Sequence, residues 1–388
     1  MTSILTLATN LAPRCVDIRR SIHRHPERGF AELETTALLA GELAQAGIEH
    51  QVREDGVGLT AVVGSGGPII AWRADLDGLP IQEMTGLPFT SEVPGWMHAC
   101  GHDVHAAIAV GTARALQELA PNDLTVRFIF QPAEETFPGG ARLMSAEGVL
   151  AGVRAIAAFH VDPSLDVGKI GLRVGPITSS SDRFRIVVSG PGGHTARPHE
   201  TADTLQAAGL ILSHLPSLVH RSIDGRIPLA LVFGQIHGGD ADNVIPARVA
   251  ISGTVRMLDE SARLSLPELI DRLAKEIAQP TGAKVTTNYE NGIPPVINHP
   301  RVIEAARTAV VDTFGHEAVA DATASMGAED FADYLRQVPG ALLRLGARDP
   351  NRPEVALHSA VFDIDERAIG HGIAVATATL IELGRAAS

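Results

Sequence analysis

Met97-His98-Ala99-Cys100-Gly101-His102-Asp103-Val104-His105 sets three histidines around one cysteine on a glycine-containing turn. A thiolate and an imidazole two residues apart can converge on one metal ion, since both are good ligands for borderline-soft divalent cations. A lone cysteine is more often a buried small hydrophobe. The surrounding histidines, with other ligand types farther along the chain, weigh against that reading here. Gln131-Pro132-Ala133-Glu134-Glu135 follows the apolar run LTVRFIF. Adjacent residues of an extended segment point to opposite sides, so one glutamate can hold a metal while the other moves a proton. His160 closes VRAIAAFH, His358 lies in LHSAVFD, and Asp75 and Asp77 follow IIAWRA. Cys, His, Glu, His and His are enough for two ions with open coordination positions.

These groups need elements to carry them. Residues 58–64, 68–74, 124–130 and 153–160 read as strands, and Asp103–Leu119 as a helix with apolar residues at helical spacing. Short apolar strands alternating with helices predict an α/β layer with a mainly parallel sheet, in which ligands gather at the carboxyl ends of strands. From Asp182 the order changes to strand, helix, strand, strand, helix, strand, a ferredoxin-like unit. After Pro295 the α/β pattern returns, with helices near 300–315, 328–337 and 365–384 and a strand at 341–346. The expected architecture is a discontinuous α/β domain, residues 1–180 and 293–388, interrupted by an α+β satellite at 181–292. Leu5, Leu11, Val16 and Ile22 suggest an amphipathic first helix.

A chain of 388 residues is too long for one ordinary core. Its formal net charge of −13 offers no basic field for nucleic acid or an anionic membrane. No run approaches the roughly 20 apolar residues of a membrane span. The first fifteen residues carry no positive charge before Arg14, unlike a secretory leader, and two cysteines do not make a disulfide scaffold. A cytoplasmic protein is the expectation.

The segments GWMHACGHDVHAA, QPAEE, GGHTARPH, DADNVIP, GTVRMLD, MGAEDFADY and LHSAVFDIDE, in order along nearly the whole chain, resemble the M20 metallopeptidase superfamily. They resemble most its amidohydrolase branch of hippurate, N-acyl-amino-acid and auxin-conjugate hydrolases. The resemblance implies the interrupted fold already read, with a dimerising satellite domain. It also implies two divalent ions (Mn²⁺, Zn²⁺, Co²⁺ or Ni²⁺) on Cys100, His102, Glu135, His160 and His358, Cys100 bridging. Glu134 becomes the general acid/base and Asp75 the carboxylate that orients the site. His194, Asn243 and Arg256 become substrate contacts, and the substrate a small N-acyl-amino acid. Thr195 and Arg197 stand where small residues are common in the family, and Arg197 would place a positive charge near the substrate. Three other readings remain open at this level. They are a dipeptidase or carboxypeptidase on the same site, a thiol amidase with Cys100 as nucleophile and His102 or His105 as base, and a non-catalytic metal-binding module.

Overall fold

The computed structural model describes residues 3–387, which form two compact units. The first comprises the described residues up to Ile177, Val296–Thr323 and those from Asp330 onward; Thr178–Pro295 and Ala324–Glu329 make the second. The return of Ala324–Glu329 to the second unit is a feature that the linear order of elements does not contain.

The first unit opens with helices α1 (Ile4–Arg24) and α2 (Leu33–Gln45). Strands β1 (Glu49–Val52), β2 (Leu59–Ser65) and β3 (Ile69–Asp75) follow, then α3 (His102–Leu119). Next come β4 (Leu124–Gln131), α4 (Gly140–Ala146), β5 (Val153–Asp166) and β6 (Ile170–Leu172). The second unit holds β7 (Ser181–Ser189), α5 (Thr204–Ser222), β8 (Leu229–His237), β9 (Arg248–Met257), α6 (Glu260–Ala278) and β10 (Lys284–Ile293). The chain returns with α7 (Pro300–Phe314), β11 (Val319–Asp321), α8 (Ala332–Leu335), β12 (Gly340–Arg348) and α9 (Arg367–Ala387).

The large sheet runs β1-β2-β4-β3-β5-β12-β6-β11. Its four central strands β4, β3, β5 and β12 are parallel, with antiparallel β1 and β2 on one side. β3 reads IIAWRAD because both of its faces are covered, and six of its seven residues are buried. α3 lies in the same core, packed against α1, α9 and β3. Its alanines at 106, 107, 109 and 113 let those neighbours come close, and nearly every residue from His102 to Leu116 is buried.

In the second unit the sheet runs β8-β9-β7-β10, all antiparallel, the strand order of a ferredoxin-like βαββαβ unit. α5 and α6 contribute Ile211, Leu215, Leu266 and Ile270 to its core. The Asp182 carboxylate accepts both Nε and Nη2 of Arg263 at 2.8 Å, plus the Tyr289 hydroxyl at 2.9 Å. A buried charge is tolerated there because it is fully paired.

One expectation is sharpened and another corrected. Helix α1 exists, but it buries Leu7, Ala8, Cys15, Ile18, Arg19, Ile22 and His23; Leu5 is exposed, and Leu11 and Val16 are half-buried. Charged Arg19 and His23 sit on the inner face because buried acids await them, which a hydrophobic count does not see. The helix expected at 328–337 is α-helical only over Ala332–Leu335. Asp330 is drawn into the core instead, where it accepts from Arg73, Gln131 and the Ala141 amide at 2.8–2.9 Å.

Candidate metal centre

The carboxyl ends of the parallel strands and the start of α3 gather the chemistry, as open α/β sheets do. Gly101 makes the turn into α3 with φ +82°, and a Cβ there would lie 2.4 Å from Val161 Cγ2. Only glycine meets both conditions. Cys100 and His102 flank it. Parallel register sets Asp75, the last residue of β3, beside Gln131, the last of β4, four residues before Glu135. His160 lies within β5. His358 arrives on a distant loop with φ +62°, and its amide donates to the Ala99 carbonyl at 2.8 Å, latching that loop to the cysteine turn.

The ligand atoms of Cys100, His102 and His160 lie within 4.8 Å of one another, and so do those of Cys100, Glu135 and His358. Cys100 belongs to both triads, so its sulfur stands between two prospective metal positions. A third group, His102, Glu134 and Glu135, brings a Glu134 oxygen beside the same centre. Hydrogen bonds fix the ring tautomers. His160 Nδ1 donates to the Val161 carbonyl at 2.8 Å, which leaves a bare Nε2 at 3.4 Å from Cys100 Sγ. His102 Nδ1 donates to Asp77 Oδ1 at 3.2 Å, and its Nε2, although buried, has no hydrogen-bond partner. An imidazole whose far nitrogen is anchored to a carboxylate is the usual arrangement of a metal-binding histidine. His358 Nε2 stands 3.0 Å from Glu135 Oε1.

The electrostatics favour a cation here. Burial pushes the Cys100 thiol up, so a thiolate at this place needs a positive partner. Burial, then the charge of Arg344, holds His160 well below the usual imidazole range and leaves it a neutral donor. Burial opposes charging His102, but Asp75 and the hydrogen bond to Asp77 outweigh it and raise that ring well above its ordinary value. Ligand types, tautomers and the orphaned Nε2 all fit divalent ions.

Asp77 does more than the sequence reading assigned to it. Its Oδ1 also accepts the Glu134 amide and its Oδ2 the Glu135 amide, both at 3.0 Å. One carboxylate therefore sets His102 and both glutamates. Asp75, the orienting carboxylate by resemblance, acts one step farther out. It accepts from His105 Nδ1 at 2.6 Å and pairs with buried Arg73, while His102 Nε2 stays 3.8 Å away. Burial opposes its ionisation, but Arg73, His102 and His105 hold Asp75 well below the usual carboxylate range. His105 Nε2 in turn accepts the Val161 amide at 2.9 Å, so both nitrogens of that ring are engaged. A clue lay in the Asp-x-Asp spacing, because residues two apart in an extended chain face the same side.

Cys100, His102, Glu134, Glu135, His160, His358 and Asp75 are thus gathered within the first unit. The other three candidates belong to the second. Gly193–His194 pairs with Val244–Ile245, and the Thr195 amide donates to the Asn243 carbonyl at 3.1 Å, which brings His194 and Asn243 together. His194 is exposed, and its Nδ1 accepts the Ala196 amide at 3.0 Å. Arg256, on β9, donates to the Met326 carbonyl at 3.1 Å, while Arg197 is exposed beside Glu200. Among the described residues no helix is long and apolar enough to cross a membrane.

Residues 71–382 match the family described as Peptidase family M20/M25/M40. The N-acetylcysteine deacetylase of Bacillus subtilis is 41% identical over 360 residues, 92% of this chain and 93% of that protein. A protein of Rhodococcus jostii named as a glutamate–cysteine ligase is 42% identical over 373 residues. That match takes in 96% of this chain but 46% of the relative, so the chain spans about half the length of that protein. Among solved structures, the YXEP protein of Bacillus subtilis, a dinuclear metal-binding peptidase of the M20 family, superposes with a TM-score of 0.87 at 36% identity. The superposition covers 97% of this chain and 99% of that one. The chain belongs to peptidase family M20/M25/M40, the metallo-hydrolases of amide bonds.

Proposed function

We propose that the protein hydrolyses the amide bond of small N-acyl-amino acids, releasing a carboxylic acid and a free amino acid. The observation that carries this reading is the sharing of Cys100 between two ligand triads with a Glu134 oxygen alongside. A merely structural metal site is a closed four-ligand cage and has no use for that extra carboxylate. The acyl-amino-acid class draws support from the deacetylase relative, 41% identical over nearly its full length.

Cys100, His102, Glu135, His160 and His358 are the side chains that would hold two divalent ions, with Mn²⁺, Zn²⁺, Co²⁺ and Ni²⁺ all suited to this mixed donor set. Bound there, the ions supply Lewis-acid activation of a water and of the scissile carbonyl. Glu134 accepts the proton of the attacking water and returns it to the leaving amine. Asp77 keeps Glu134 and His102 in register through its Oδ1, which receives both. In the second unit, His194 is assigned to the substrate carbonyl oxygen as it gains charge, Arg256 to the substrate carboxylate and Asn243 to its polar groups. That unit also takes the dimerising role. A thiol mechanism is disfavoured, because burial raises the Cys100 thiol and, of the two bases it would draw on, His105 has both nitrogens engaged and His102 Nδ1 is held by Asp77.

A panel of N-acetyl and N-benzoyl amino acids, assayed beside dipeptides with Mn²⁺-loaded protein, tests the class. Turnover of acyl amino acids at least tenfold above that of dipeptides is expected. The reverse order would replace the reading with a dipeptidase on the same centre.

A further inference from the structure

The loop that carries Glu134 holds an unfavourable conformation. Ala133 has φ +54°, a left-handed backbone that costs an L-residue with a Cβ and persists only where the surroundings impose it. Three successive amides of this loop are received by carboxylates from elsewhere in the first unit. Asp77 takes those of Glu134 and Glu135, and Glu32 Oε1 takes that of Ala133 at 2.7 Å. Pro132, just before them, has no amide to give.

Glu32 is well placed for such a task. It is fully buried at the N-terminus of α2, where its carbonyl accepts the Thr36 amide at 3.1 Å and the Thr36 hydroxyl at 2.5 Å. The same Thr36 hydroxyl accepts the Gly58 amide at 2.8 Å, tying the helix start to the sheet. Three residues upstream, a Cβ on Gly29 would lie 2.5 Å from Thr136 Oγ1 and 3.0 Å from Ala133 Cβ, so the segment rests directly on the glutamate loop. Neither the metal ligands nor the acid/base assignment uses this N-terminal stretch.

We propose that Glu32 is a positioning residue whose carboxyl group holds Ala133 in its left-handed conformation and so aims Glu134 at the metal centre. The proposal rests on the assignment of Glu134 as acid/base. Burial, together with the nearby Asp77 charge, pushes the Glu32 carboxyl up to about 8, so at neutral pH it is the protonated acid. Its carbonyl oxygen then accepts the Ala133 amide without placing a second anion beside Asp77. A glutamine can do the same; an apolar side chain cannot.

The full-length protein and its Glu32→Gln and Glu32→Leu variants are compared by two readouts. One is amide hydrogen exchange of the segment 131–137 without metal. The other is turnover of N-acetyl-L-methionine at saturating Mn²⁺. Glu32→Gln is expected to keep exchange and kcat within twofold of the parent. Glu32→Leu is expected to speed exchange of that segment at least tenfold and to lower kcat by 30-fold or more, with KM within threefold. The further change Ala133→Gly, which accepts a positive φ freely, should restore part of the lost kcat in Glu32→Leu. Glu32→Leu with parental exchange overturns the proposal, and so does Glu32→Gln failing as badly as Glu32→Leu. Because exchange is read without substrate, it decides the point even if the acyl-amino-acid reading fails. Should Glu32→Leu not fold, the Glu32→Gln result and a Gly29→Ala variant, which presses on the same loop, decide it. Exchange in Gly29→Ala must rise within 131–137.

Discussion

Glu134 and Glu135 are covalent neighbours to which the proposed function gives different tasks, and their surroundings separate them. Glu135 stands 3.0 Å from His358 and shares a triad with Cys100; Glu134 approaches the centre from the side of His102. Exchanging Glu134 for glutamine keeps the loop's amides on Asp77 and removes only the basic oxygen. Glu134→Gln is therefore expected to bind metal as the parent does, by elemental analysis, while kcat falls by about 10²- to 10⁴-fold. Turnover within tenfold of the parent would remove Glu134 from the acid/base role. The residue types and their spacing made this cluster legible, since cysteine, histidine and paired glutamates at strand ends carry their chemistry openly. The work of Glu32 was not legible, and that of Asp77 was hinted at only by its spacing from Asp75. Both act on backbone amides of a segment far away in sequence, and nothing in a residue's type announces which amide it will receive.

At the scale of elements, α1 and α3 are joined by charge as well as by apolar packing. Asp103, in the first turn of α3, accepts Arg19 Nε at 2.9 Å and His23 Nδ1 at 2.8 Å, and His23 Nε2 lies 3.3 Å from Glu83. With a carboxylate at each nitrogen, the His23 ring carries both protons. Burial works against that charge, but the hydrogen bonds to Asp103 and Glu83 raise His23 to about 9 from an ordinary 6.5. The folded state thus binds this proton more tightly than the unfolded chain. Its stabilisation is complete below pH 6.5 and fades as pH rises through about 9. Denaturant unfolding at pH 6.5 and 9 should show the parent losing about 3 kcal/mol more than His23→Gln over that interval. Equal losses would show that His23 is neutral in the fold. Strands and long helices were legible from periodicity and turn residues. The buried face of α1 was not, because charged residues lie on it, and α8 was overrun by the burial of Asp330.

On the scale of the whole molecule, the sheet's parallel centre delivers Asp75, Asp77, Glu134, Glu135 and His160 to one end, α3 begins there with Cys100 and His102, and the loop of His358 is latched across. The βαββαβ order was read from the chain because its elements are regular and several end at turn residues, as α6 does before Pro280 and Gly282. The return of Ala324–Glu329 to the second unit depends on long-range contacts and left no local trace. The central claim is that these elements assemble a two-ion hydrolytic centre. Its most direct test is stepwise reloading of chelated protein with Mn²⁺ while turnover of an N-acetyl amino acid and bound metal are measured together. The account predicts that turnover vanishes with the chelator and returns in full as two ions bind per chain. Turnover that persists in the metal-stripped protein would contradict it and return Cys100 to consideration as a nucleophile.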